Sequence, residues 1–140
     1  MLPLNEQVKI TKVADYTSAD TSAINCTGVD MSGYQGVLLI TSFGTAAANN
    51  TANAAQSAND SSYTDLTGTS VASGTSDEDV WIDVYHPTDR YVRLEIARGT
   101  STTLEGAWAI QYGARKQPVD NTTSGTITGE EHVGEAEGTA

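Results

Sequence analysis

Residues 80–96 read Val80–Trp81–Ile82–Asp83–Val84–Tyr85–His86–Pro87–Thr88–Asp89–Arg90–Tyr91–Val92–Arg93–Leu94–Glu95–Ile96. Two runs in this stretch alternate with a period of two. Val80, Ile82 and Val84 oppose Trp81, Asp83 and Tyr85, and Val92, Leu94 and Ile96 oppose Tyr91, Arg93 and Glu95. That period belongs to strands with one face on a core and the other toward solvent. His86–Pro87–Thr88–Asp89 breaks the alternation with turn-forming residues. A third alternation follows Gly99–Thr100–Ser101–Thr102–Thr103, where Trp108, Ile110 and Tyr112 exchange with Ala107, Ala109 and Gln111. The three runs are expected to be adjacent antiparallel strands, with Val80–Val84, Val92–Ile96 and the bulky Trp108–Tyr112 set facing inward.

Working upstream, Val8, Ile10 and Lys12 predict a first strand, and Ile24 with Cys26 a second. Gln35 to Phe43 is apolar on both faces, as a central strand should be. Asn49 to Ala58 reads as a strand of small residues, with Ala52, Ala54 and Ala58 against Asn53 and Ser57; a helix is the competing reading of its alanines. Asn59–Asp60–Ser61–Ser62 is a turn, and Tyr63–Thr64–Asp65–Leu66 a short strand. About eight short strands with frequent turns predict an all-β, antiparallel β-sandwich or jelly-roll-like domain, with a small closed barrel as the alternative.

Composition agrees. The 140 residues include 17 Ala, 20 Thr, 12 Ser and 13 Gly, and Thr and Ser compete poorly in helix interiors. The length suits one domain, expected over residues 7–116. Residues 1–6 and 117–140 are expected to be extended arms. The C-terminal arm carries five acids, no Lys or Arg, and only Val119, Ile127 and Val133 as large aliphatics. Alone it cannot offset its ordering entropy, so its own domain, a neighbouring copy or a larger assembly must hold it. The expectation is docking across a neighbouring subunit.

The formal charge of −11 opposes binding to nucleic acid, whose phosphates call for Lys and Arg, and to an anionic membrane surface. The longest apolar run, Val37–Leu38–Leu39–Ile40, is far below the roughly 20 residues that cross a bilayer. Met1–Leu2–Pro3–Leu4–Asn5–Glu6 lacks the regions of a signal peptide, and Cys26 is alone, so folding in a cytoplasm without disulfides is expected.

Chemistry is sparse. His86 sits in a turn and His132 in the acidic arm, and no GxSxG frames a serine. Asp77–Glu78–Asp79 and Asp83 lack the spaced ligands and glycine turn of a calcium loop, and read as a solvated acidic run guarding a strand edge. Asn25, Asn49, Asn59 and Asn121 open Asn-x-Ser/Thr triplets that composition alone accounts for. No GxGxxG, Walker sequence, CxxC or HExxH occurs, so no enzyme, cofactor or metal is expected. Trp81 and Tyr85 share a face opposite the Val80–Val84 stripe, which makes them candidates for a surface contact with sugar or protein, against a second buried face. Trp108, in phase with Ile110, is assigned to the core.

Residues 81–113, with Arg98–Gly99–Thr100–Ser101–Thr102, Trp108–Ala109–Ile110–Gln111–Tyr112–Gly113 and the arm segment Ser124–Gly125–Thr126–Ile127–Thr128–Gly129–Glu130, resemble small head proteins of tailed bacteriophages, the capsid decoration (cement) proteins among them. The resemblance implies a virion structural protein on the capsid surface, a homotrimer that binds the major capsid protein and bridges its subunits. It transfers no active-site residue. The interface residues it suggests are Leu2, Leu4, Trp81, Tyr85, Val119, Ile127 and Val133. Rival readings are a head-completion or tail-tube protein and a carbohydrate-binding β-sandwich module.

Overall fold

A computed structural model describes residues 1–121 and 125–139. Among these, eleven strands follow a short 3-10 turn at Leu4–Glu6: β1 (Lys9–Ala14), β2 (Thr17–Asp20), β3 (Ile24–Asn25), β4 (Val29–Asp30), β5 (Gly36–Phe43), β6 (Asn50–Ser57), β7 (Thr64–Asp65), β8 (Val71–Ser73), β9 (Glu78–Tyr85), β10 (Tyr91–Ala97) and β11 (Thr102–Tyr112). No described helix is long and apolar enough to cross a membrane.

The strands form two antiparallel sheets. The first runs β1-β11-β5-β9, with β2 also on β11; the second runs β3-β10-β6-β7, with β4 on β10 and β8 on β6. Their inner faces share one apolar core, in which Val37, Leu39, Phe43, Val80, Ile82 and Leu104 of the first sheet meet Ala52, Ala54, Val92, Leu94 and Ile96 of the second. The protein is an all-β sandwich. The alanine-rich segment is a strand, β6, because its alternate residues close onto the core while Thr51, Asn53 and Gln56 stay partly exposed.

Three expectations need correction. The stretches around Val80, Val92 and Trp108 are not mutual neighbours: β9 pairs with β5, β11 lies on the other side of β5, and β10 belongs to the second sheet beside β6. Three short strands, β2, β4 and β8, add to the expected eight. They are two to four residues long and lack an alternating apolar stripe, so tertiary pairing alone defines them.

The third correction reverses a face. Ala107, Ala109 and Gln111 are buried, while Trp108, Ile110 and Tyr112 lie on the outer side, half-buried. Counting by twos from buried Leu104 would bring Trp108 inside. The register between β11 and β5 shifts between Leu104 and Gly106. The extra residue of this β-bulge flips the phase of everything after it. Gly106 accommodates the distortion with φ 153°, a backbone conformation that glycine adopts without steric cost.

Candidate docking face

Reversal of β11 changes the outside of the first sheet. Register aligns its outward residues in rows across four strands. One row is Lys12, Trp108, Ile40 and Trp81; the next is Ile10, Ile110, Leu38 and Asp83; a third is Tyr112, Gly36 and Tyr85. Trp81 and Tyr85 are 66% and 62% exposed, and Ile10, Leu38, Ile40, Trp108, Ile110 and Tyr112 are partly so. Two tryptophans, a tyrosine pair and four aliphatic side chains thus share one surface. Exposed aromatic side chains gathered on one face beside aliphatic ones make it the candidate interaction surface.

Local geometry holds the aromatic corner. Gly36 leaves room for the Tyr112 ring, which a Cβ there would overlap. Tyr112 donates its hydroxyl to Asp83 at 2.6 Å, and its ring lies parallel to that of Tyr85, centroids 6.5 Å apart. His86, with φ 51°, stacks on the other neighbour, Tyr85, at 4.0 Å. Burial, followed by the hydrogen bond to Asp83, pushes the Tyr112 phenol up to about 12.

The outside of the second sheet is different. Arg93 pairs with Glu95 at 2.5 Å and lies over the Tyr63 ring at 4.0 Å. Asn53 donates to Asp65 at 2.9 Å. Tyr63 donates to Asp60, and burial, followed by this bond, raises its phenol. Polar groups there satisfy one another, so the sandwich has one polar face and one apolar face.

Both arms meet at the β1 edge of the apolar face. Val119 N–H donates to Glu6 O at 2.7 Å. The Asn121 side chain accepts from Ile10 N–H at 2.9 Å and donates to Val8 O at 2.7 Å and Asn5 O at 2.6 Å. Lys9 Nζ donates to Asp120 O at 2.6 Å, and Asn5 to Glu131 at 3.0 Å. A cleft of about 550 Å³ lies between the arms, lined in part by Ile10, Val119 and Ile127. The beginning of the C-terminal arm is therefore latched to its own chain.

The residues singled out in the sequence distribute as follows. Trp81 and Tyr85 are on the open face, not in a second buried layer. Val119 and Ile127 are half-buried beside Ile10, and Leu2, Leu4 and Val133 are exposed, the last by 79%. Ser124 of the arm motif lies outside the described residues, as do Thr122, Thr123 and Ala140. Sequence reasoning missed Ile10, Leu38, Ile40, Trp108, Ile110 and Tyr112. The available signal was that β5 is apolar on both faces, which requires cover on its outer side as well.

The remaining reactive groups are occupied elsewhere. Glu78 accepts from Ser73 at 2.6 Å, and no group of three described His, Cys, Asp or Glu residues could hold a metal ion. His132 lies between Glu130 and Glu135, 3.2 and 3.6 Å away. Burial pushes the Cys26 thiol up to about 12, which leaves it a poor nucleophile. Arg98, buried, donates to Ser22 O and Ser18 O at 2.7 Å and to Thr102 O at 2.9 Å, pinning β2 to the end of β11.

Neither a protein-family model nor a curated protein matches the chain. Among solved structures, it is similar to the crystal structure of PBSX exported protein XepA, with a TM-score of 0.51 and 21% identity over 94% of this chain. The match covers 46% of that protein, so the chain spans less than half of its length. The two share a fold.

Proposed function

We propose that the chain is a non-enzymatic phage structural protein that docks through the outer face of its first sheet. The observation that carries this reading is the run of apolar side chains from Ile10 through Ile110, Trp108, Leu38 and Ile40 to Trp81 and Tyr85, on a sandwich whose opposite face is polar. Aromatic anchors ringed by aliphatic contacts are what dominate protein interfaces. A phage setting draws support from the shared fold with an exported protein of the phage PBSX.

The finer reading is a decoration protein on a capsid surface, a homotrimer that bridges subunits of the major capsid protein. Leu2, Leu4, Ile127 and Val133 would extend the contact from the β1 edge onto a neighbour. The glycan-binding alternative would use Trp81 and Tyr85 alone and leaves the aliphatic middle of the face without a role. Quantitative mass spectrometry of purified particles tests the assignment. Hundreds of copies per particle fit decoration, a ring-sized set fits a connector or tail component, and absence from particles overturns the reading.

A further inference from the structure

We propose that β9 is an open sheet edge built to accept a basic strand from a different protein. This goes beyond the docking reading, which concerns the face of the sheet and not its edge.

The two edges of the first sheet are treated differently. At β1, the Asn121 carboxamide accepts from Ile10 N–H and donates to Val8 O, as the peptide groups of an adjoining strand would. At β9, the pairing partner among the described residues is β5 alone. Beyond Glu78, which Ser73 contacts, no described group bonds the far side of Val80–Tyr85. Alternate residues of such a strand direct N–H and C=O groups away from the sheet, a template for strand addition. Val80, Ile82 and Val84, the inward residues of β9, carry the core out to this edge.

Charge selects the occupant. Asp79 and Asp83 alternate with Trp81 and Tyr85 on the outward side of β9, and Asp77 and Glu78 precede them. The chain's own arms are unsuitable. Residues 117–140 carry five acids and no Lys or Arg, and residues 1–6 carry no Lys or Arg either. A neighbouring copy's arm would set like charges side by side, which is destabilising across strands. The fitting segment is an extended stretch of a partner protein. Its inward residues are small aliphatics that prolong the Val80–Ile82–Val84 stripe. Its outward residues are Lys or Arg opposite Asp79 and Asp83, and aromatic or Arg opposite Trp81 and Tyr85. The same acids reject acidic strands, so they supply specificity by repulsion as well as attraction.

The test uses the full chain and a capped synthetic octapeptide in which valine alternates with lysine and tyrosine, followed by amide exchange and chemical shifts in NMR. Saturating peptide should slow exchange at Val80–Tyr85 by about tenfold or more, an opening equilibrium shifted by bound ligand. Glutamate in place of lysine should weaken binding by about tenfold or more, and N-methylation of the peptide backbone should abolish it. The variant Asp79→Lys, altered at an exposed position that leaves the Tyr112–Asp83 bond in place, should weaken the lysine peptide and strengthen the glutamate peptide. Unchanged exchange at β9 overturns the proposal. So does equal binding of the glutamate or N-methylated peptide, or shifts confined to Trp81, Trp108 and their face. No particle enters this experiment, so its failure leaves the docking face standing, and loss of particle binding leaves the edge standing.

Discussion

The Tyr112 hydroxyl reaches across β5, over Gly36, and donates to the Asp83 carboxylate on β9 at 2.6 Å. One hydrogen bond thus ties three strands of the outer face, and it depends on a glycine between its partners. Gly36→Ala should displace the Tyr112 ring and cost about 1 kcal/mol while the sandwich stays folded. In ultraviolet titration, the Tyr112 phenol should fall from about 12 toward its ordinary value near 10. A titration unchanged by the substitution would show that the ring does not need the space above Gly36.

The same phenol sets an alkaline dependence. Its value in the folded chain lies above the ordinary one, so folding favours the protonated form. Its stabilisation is complete below about pH 10 and is lost as pH rises to about 12. Asp83→Asn, which removes the carboxylate but not the burial, should make this part of the stability curve, measured by urea unfolding, shallower.

The reversed face of β11 makes a paired test. Ala109→Asp buries an unpaired charge in the core and should cost several kcal/mol, a large share of the roughly 5–15 kcal/mol that holds a domain together. Ile110→Asp, on the outer side, should yield a cooperatively melting protein. Folding of the first variant, or collapse of the second, in thermal circular dichroism would put the stripe back inside.

How much of this was legible in the sequence depends on local contrast. β9 and β10 announced their inner faces because aliphatic residues alternate there with charged and aromatic ones, and only one phase is apolar. On β11 both phases are apolar, so side-chain size alone favours the Trp108 phase, and the bulge at Gly106 that decides the phase leaves no trace in the alternation. Pairing partners were hidden for another reason. The residues of β5 pair with residues of β9 and β11 that lie 35 to 76 positions further along the chain, and periodicity carries no information about such distant neighbours. The outward placement of Trp81 and Tyr85 was legible because they sit opposite a clear stripe. That of Leu38, Ile40 and Ile110 was not, because an apolar residue on an outer face looks the same in sequence as one on an inner face.

Arg98 should be the most sensitive polar position. Its guanidinium donates to three backbone carbonyls and lies 3.8 Å from Asp20. Arg98→Ala leaves those acceptors without their charged donor and should cost about 3 kcal/mol. Arg98→Lys, without the planar fork, should recover only part of it. Chemical denaturation of the two variants measures both values, and equal stability of Arg98→Lys and wild type would contradict the fork geometry.

The arm latch predicts local, not global, loss. Asn121→Ala removes the carboxamide that bridges Ile10 and Val8 and should cost about 1–2 kcal/mol, felt at the β1 edge. Truncation after Pro118 should leave the sandwich folded, speed amide exchange at Ile10, and promote self-association through the bared edge. An Ile10 amide that exchanges at the same rate in both forms would show that the arm does not close this edge.

The central claim is that the apolar face of the first sheet is covered in an assembled particle. Oxidative footprinting of Trp81 and Trp108, compared between the free chain and purified phage particles that carry it, measures that cover at the two residues. Strong protection of both tryptophans on the particle, with the polar-face residue Tyr63 reacting as in the free chain, is the expected result. Tryptophans that react as readily on the particle as in solution would contradict it.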